Sequence, residues 1–169
     1  MLAGLAACGP ARGPTPLRGE TTLGLIEART DLDGARIGVS TAPATLAFVF
    51  ASWCSHCHEH LAELTTLRAA HPRTRILGVS YRGHEEYDGR GNPTAVRAYL
   101  AEHAPWLRVL PADEVLFAAL GRPRFVPTLY IFDARGALVV RYDRGAEPLP
   151  SAAALGVVLT RLTRLARLQ

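Results

Sequence analysis

Two cysteines three residues apart are the first sign of chemistry in the chain. Trp53-Cys54-Ser55-His56-Cys57 follows the apolar run 45–50 (TLAFVF) and leads into Leu61, Leu64 and Leu67, spaced by three. A continuous apolar run reads as a strand buried on both faces, and the leucine spacing reads as a helix over 57–70. The motif therefore stands where a strand ends and a helix begins. Unpaired N–H groups and the helix dipole at such a point favour a thiolate, which makes Cys54 the nucleophile. Cys57 falls one turn further on the same side, near enough to close a disulfide with Cys54. One thiol is then exposed and reactive and the other is shielded, the asymmetry that thiol–disulfide exchange needs. His56 lies between them. An imidazole there, cationic or hydrogen-bonding, would stabilise the Cys54 thiolate further and make the pair a stronger oxidant.

The same stretch permits a second chemistry. Cys54, His56, Cys57, His58 and His60 crowd five potential ligands together, with His56 and His60 at a workable helical ligand spacing. Soft thiolates with imidazoles suit Cu(I) or Zn(II). The alternative function is thus a copper or zinc carrier built on Cys54, Cys57, His58 and His60. A peroxidase is less well supported, because no cysteine stands in a Pro-x-x-x-Thr-x-x-Cys context.

The elements around the motif form a regular series. Residues 23–29 and 35–39 flank Asp31-Leu32-Asp33-Gly34, which predicts an N-terminal β-hairpin. Residues 75–80 (RILGVS) read as a second central strand, and the polar, Gly-rich 82–93 as a loop. Asn92-Pro93 reads as a helix cap and first helical residue, the helix stopping before Pro105. A short strand at 106–110, a short helix at 112–120, strands at 128–132 and 138–142 joined by Asp133-Ala134-Arg135-Gly136, and an amphipathic helix at 151–168 complete the chain. Strands alternating with helices, then a terminal hairpin, imply a three-layer α/β sandwich with a mixed sheet.

Composition narrows the function classes. The 169 residues are 49% apolar and 20% charged, a normal balance for one globular domain. All 19 basic residues are arginine, so no lysine exists for a phosphate-binding loop or a Schiff base. The net charge of +4 is spread along the chain and gives nucleic-acid binding no support. Arg161, Arg164 and Arg167 line the last helix and read as a solvated face. No stretch reaches the ~18 apolar residues of a membrane span.

Leu5-Ala6-Ala7-Cys8 resembles the lipobox of bacterial lipoproteins, which implies that Cys8 carries a lipid. The Pro- and Gly-rich 9–20 then reads as a flexible tether, and 21–169 as the folded domain. This implies a periplasmic protein of the cell envelope held to the membrane by a lipid anchor.

Phe125-Val126-Pro127-Thr128 opens a strand 70 residues after Cys57. With the Trp-Cys-x-x-Cys motif, this loop makes residues 21–168 resemble the thioredoxin fold, and within it the TlpA/ResA-like group of tethered periplasmic thiol–disulfide oxidoreductases. The resemblance implies a cis Val126–Pro127 bond, a Val126 backbone that pairs with a bound substrate strand, and a contact face shaped by Trp53 and Pro127. It implies cysteine pairs of exported proteins as clients, a membrane thiol donor or acceptor of electrons, and no cofactor beyond the Cys54–Cys57 disulfide. Phe48 stands where many thioredoxins carry a buried aspartate, and Ala62 where they carry a kinking proline. ResA-like proteins place a glutamate after the next central strand, a match for Glu85 or Glu86 as proton relay. A histidine before the second cysteine is similar to DsbA-type oxidants, so the direction of electron flow stays open.

Overall fold

The apolar run after Pro43 becomes the centre of the sheet. β1 (Ala44–Phe50) is buried along its whole length. It pairs in parallel with β2 (Arg75–Tyr81) and antiparallel with β4 (Thr128–Asp133). β3 (Arg108–Ala112) and β5 (Leu138–Asp143) close the edges, giving the order β3-β2-β1-β4-β5. This computed structural model describes residues 21–145 and 148–168. The lipobox with Cys8 and the tether at 9–20 lie outside the described residues.

Side chains alternate across β1, so its two faces hold two cores. Leu46, Phe48 and Phe50 meet α2 (Ser55–Ala70), α4 (Pro93–His103) and α6 (Ala152–Ala166) through Leu61, Leu64, Val96 and Leu155. Ala47 and Val49 on the opposite face join Leu23, Ile26 and Leu116 of α1 (Thr22–Glu27) and α5 (Glu114–Ala119). The three-layer sandwich with a mixed sheet is therefore the observed architecture. Asn92, Asp113 and Ser151 cap their helices, each accepting the backbone N–H three residues on. Among the described residues no helix is long and apolar enough to cross a membrane.

Three local expectations are corrected. The N-terminal hairpin is absent: residues 22–27 form α1, capped by Thr21, whose Oγ1 accepts the Gly24 N–H at 3.0 Å. Leu23 and Ile26 are three apart, which puts both on one face of a helix but on opposite faces of a strand. Burying both against the sheet therefore selects the helix. The Asp31 turn does form, its Oδ1 accepting from Asp33 and Ala35, but a single Thr30–Arg36 bridge is all the pairing it leads to. The edge strand runs two residues later than 106–110, because its register is set by pairing Arg108–Ala112 with Leu77–Tyr81. Residues 82–93 are not one loop either. They form α3 (Arg82–Glu85) and a 3-10 turn at Tyr87–Gly89, and this segment packs on the cysteine motif.

Candidate active site

Cys54 is the N-cap of α2, with extended backbone (φ −85°, ψ 111°). Its Sγ accepts the Cys57 N–H at 3.3 Å, the position that a serine or aspartate oxygen fills in other caps. Both thiols are free and buried. Cys54 keeps 7% of its surface exposed and Cys57 none, so solvent and partners reach only the first.

The two thiols have opposite electrostatics. The Cys57 S–H, hydrogen-bonded to Cys54, is the largest influence that lowers the Cys54 pKa, from 9.0 to about 6. The backbone N–H groups of Cys57 and His56 add to it, and the charge of His56 contributes least. Burial opposes them. Cys57 moves the other way: burial first, then its neighbour Cys54, pushes its thiol far above the ordinary range. At neutral pH the pair is therefore a thiolate at Cys54 held by a protonated Cys57. The shielded thiol itself, more than the imidazole, tunes the nucleophile. His56 is exposed, and its Nδ1 faces Glu59 Oε2 at 3.2 Å.

Opposite Cys54 lies the Val126–Pro127 loop. Its peptide bond is cis, and Cys54 Sγ lies 3.7 Å from the Val126 carbonyl oxygen, a contact in which the sulfur can donate only while it is protonated. Thr128 Oγ1 donates to the Phe125 carbonyl at 2.8 Å and fixes the turn into β4. Val126, Pro127 and the nucleophile are thus brought together.

The α3 segment braces the other side. Glu85 is 2% exposed, and its carboxylate accepts the Ser52 N–H at 2.9 Å and the Ser52 hydroxyl. Trp53 Nε1 donates to the His84 and Glu85 carbonyls at 3.1 and 3.0 Å. Tyr87 lies 6.3 Å from the indole, ring to ring, and the Arg90 guanidinium stands 5.1 Å from its centre. Gly91 closes over Glu85: a Cβ there would lie 2.2 Å from Glu85 Oε1. Glu85 carries a negative charge close enough to raise the Cys57 pKa slightly further. Of the two relay candidates, only Glu85 belongs to the site. Glu86 sits outside it, paired with Arg82 at 2.7 Å.

The metal alternative is not assembled. His58 turns to α4, its ring 4.3 Å from His103 and 6.1 Å from Tyr99. His60 turns the other way and lies 5.9 Å from Phe48, ring to ring. Among the described residues no group of three His, Cys, Asp or Glu side chains is placed to hold a metal ion. The helix splits Cys54, Cys57, His58 and His60 between different faces.

Two residues at the site, Ser52 and Tyr99, escaped the sequence reading, and a third, His60, was marked there only as a metal ligand. Ser52 has only its place beside Trp53 to mark it. Tyr99 packs against the cluster that holds both cysteines, and burial pushes its hydroxyl pKa up. His60 is 6% exposed although it is polar. The last two face inward at helical spacings that an apolar pattern does not mark.

No protein-family model matches the sequence, and no curated protein matches it. Solved structures do. A secreted Mycobacterium tuberculosis disulfide oxidoreductase, described as homologous to E. coli DsbE, aligns with a TM-score of 0.64 at 18% identity, over 81% of this chain and 96% of that one. The exposed lipoprotein thioredoxin Etrx1 of Streptococcus pneumoniae gives 0.62 at 20% identity, over 79% and 96%. StoA from Bacillus subtilis gives 0.61 at 15%, over 79% and 94%. The chain has a thioredoxin-like fold.

Proposed function

We propose that the protein is a thiol–disulfide oxidoreductase acting on cysteine pairs of exported proteins, as a member of the TlpA/ResA-like group. One observation carries the reading: an acidified, reachable Cys54 thiol at a helix N-cap, hydrogen-bonded to a buried and protonated Cys57. An inert structural disulfide has no need of that asymmetry. Solved structures of the same fold, among them a secreted disulfide oxidoreductase and an exposed lipoprotein thioredoxin, agree with it.

In the reducing direction the Cys54 thiolate attacks one sulfur of a client disulfide. A Cys54–client S–S bond forms, the client bond breaks, and the second client sulfur leaves as a thiolate. Cys57 then loses its proton and attacks Cys54 Sγ. The Cys54–Cys57 disulfide forms, and the client leaves with both thiols: it has gained two electrons and the protein has lost two. The oxidising direction is the reverse. No cofactor beyond the cysteine pair is needed, since it carries both electrons. Trp53 and Pro127 flank the contact, and the Val126 backbone pairs with the client strand. His56 has a minor tuning role. Glu85, under the motif, is the base we assign to take the Cys57 proton.

The location follows from the same reading. An extracytoplasmic protein, held by a lipid on Cys8 and spaced by 9–20, would meet exported clients and exchange electrons with a membrane thiol partner.

The test is trapping. With Cys57→Ser, a disulfide-bonded peptide should accumulate as a stable adduct on Cys54, and Cys54→Ser should lose exchange altogether. A Cys54→Ser protein that exchanges at the normal rate contradicts the proposal.

A further inference from the structure

The outer face of α6 carries apolar side chains that the fold does not cover. Val157, Arg161, Arg164, Leu165 and Leu168 recur at i, i+4, i+7, i+8 and i+11, which makes one stripe along the helix and the turn after it. Val157 is 72% exposed, Leu165 47% and Leu168 83%, and both arginines are exposed between them. With Ala70 and His71 at the end of α2, the stripe lines a groove of about 750 Å³. No acidic side chain lines this groove among the described residues, and the sequence from 148 to 169 contains no Asp or Glu. The acids of α2 precede the groove and are engaged: Glu59 faces His56, and Glu63 Oε2 accepts the Ala152 N–H at 2.6 Å. Arg167 adds a third exposed cation at the same helix end. Apolar groups set among charges of one sign complement an anionic, amphiphilic surface, where the apolar groups enter the interface and the guanidiniums meet phosphates.

The groove also lies at the end of the domain away from Cys54. α2 leaves Cys54 and runs to Ala70, about 24 Å, and the groove takes in its last turn. The chain then re-enters the sheet at Arg75, opposite Thr45 at the start of β1. Thr21 is at that end too. β4 starts beside the site at Thr128, and Gly136 follows its far end, where a Cβ would lie 3.4 Å from Thr21 Oγ1. The twelve residues 9–20 span at most about 43 Å, so a lipid on Cys8 would keep a bilayer within reach of this end. We propose that the outer face of α6 docks on an anionic phospholipid bilayer, with Val157, Leu165 and Leu168 in the interface, Arg161, Arg164 and Arg167 on phosphates, and Cys54 turned away from the membrane. The docking is a reversible contact separate from any lipid on Cys8.

The experiment is co-sedimentation of the full chain, made as Cys8→Ser so that it carries no lipid, with vesicles of phosphatidylcholine alone or of equal parts phosphatidylglycerol and phosphatidylcholine. The protein should bind the anionic vesicles more tightly by roughly tenfold or more, and added salt should release it. Arg161→Gln with Arg164→Gln should weaken that binding roughly twentyfold, at about fivefold for each arginine near an anionic surface. Val157→Ser with Leu168→Ser should weaken it as well. Arg122→Gln with Arg124→Gln removes the same charge near the Val126–Pro127 loop and should change binding by less than about twofold. Thermal melting confirms that the variants are folded. No sedimentation with the anionic vesicles overturns the inference, as does equal binding to both kinds of vesicle. Binding that survives Arg161→Gln with Arg164→Gln, or that both arginine pairs weaken equally, overturns it too. A dimer in solution that the α6 variants dissolve would give the face to a second copy of the chain instead. None of these readouts involves thiol exchange, so the oxidoreductase reading stands or falls separately.

Discussion

The acidity of Cys54 gives the most quantitative expectation. Its pKa falls from 9.0 to about 6 in the folded, reduced protein. Three units are worth about 4 kcal/mol in favour of the thiolate. The folded value lies below the unfolded one, so this stabilisation of the reduced state is complete above about pH 9 and vanishes as pH falls through about 6. At pH 7 one unit of it counts, about 1.4 kcal/mol, equivalent to about 30 mV in the potential of a two-electron pair. Roughly 90% of Cys54 is then thiolate, against roughly 1–3% for an ordinary thiol. The assay is the alkylation rate of the reduced protein across pH, resolved by peptide mapping to separate Cys54 from Cys8 and Cys57. The expected midpoint is about 6. Cys57→Ala removes the largest cause and should move the midpoint upward by about one unit or more, since a hydrogen bond to a charged group contributes about 1.5–3 kcal/mol. His56→Ala should move it less, because the imidazole contributes least. A midpoint above about 8, or a larger shift from His56→Ala than from Cys57→Ala, would refute this ordering of causes.

Three further expectations concern the brace beneath the motif. Glu85→Ala strands the Ser52 N–H and hydroxyl and should lower stability by about 1–3 kcal/mol in chemical denaturation; a loss under about 0.5 kcal/mol would contradict the clamp. Glu85→Gln removes the charge that disfavours the Cys57 thiolate, so the Cys57 titration, followed by NMR of the labelled cysteine because the thiol is buried, should move to lower pH. Trp53→Phe removes the indole donor to the His84 and Glu85 carbonyls and should lower stability by about 1 kcal/mol. Amide exchange over 82–89 should then accelerate, and an unchanged exchange pattern would argue against the brace.

What the sequence revealed was what rests on local rules. The strand at 45–50, the helix after Cys54, the Asn92-Pro93 cap and the terminal hairpin all depend on neighbours within a few residues, and all form. The N-terminal segment misled because the Asp31–Gly34 turn was legible while the choice between helix and strand depended on a distant surface, the sheet face that takes Leu23 and Ile26. Segment 82–89 misled for a similar reason. Its polar composition reads as a loop, yet Glu85 is buried through a hydrogen bond to Ser52, 33 residues away. At the site, the nucleophile and its resolving partner were visible as spacing. What spacing alone does not show is that the His56 ring faces Glu59, or that the Cys57 hydrogen bond lowers the Cys54 pKa more than the His56 charge does.

The central claim is that Cys54 and Cys57 interconvert reversibly between dithiol and disulfide. Equilibrating the protein in dithiothreitol and glutathione buffers of graded potential, then quenching, alkylating and mapping the peptides, tests it directly. The account predicts one two-electron transition, a loss of two hydrogens confined to the Cys54–Cys57 peptide, and a midpoint between about −270 and −120 mV, the span of known thioredoxin-fold exchangers. A midpoint near −270 mV would mark a reductant, and one above about −180 mV an oxidant of its clients. A pair that stays fully alkylatable across that range, or stays locked as a disulfide below about −300 mV, would contradict the account.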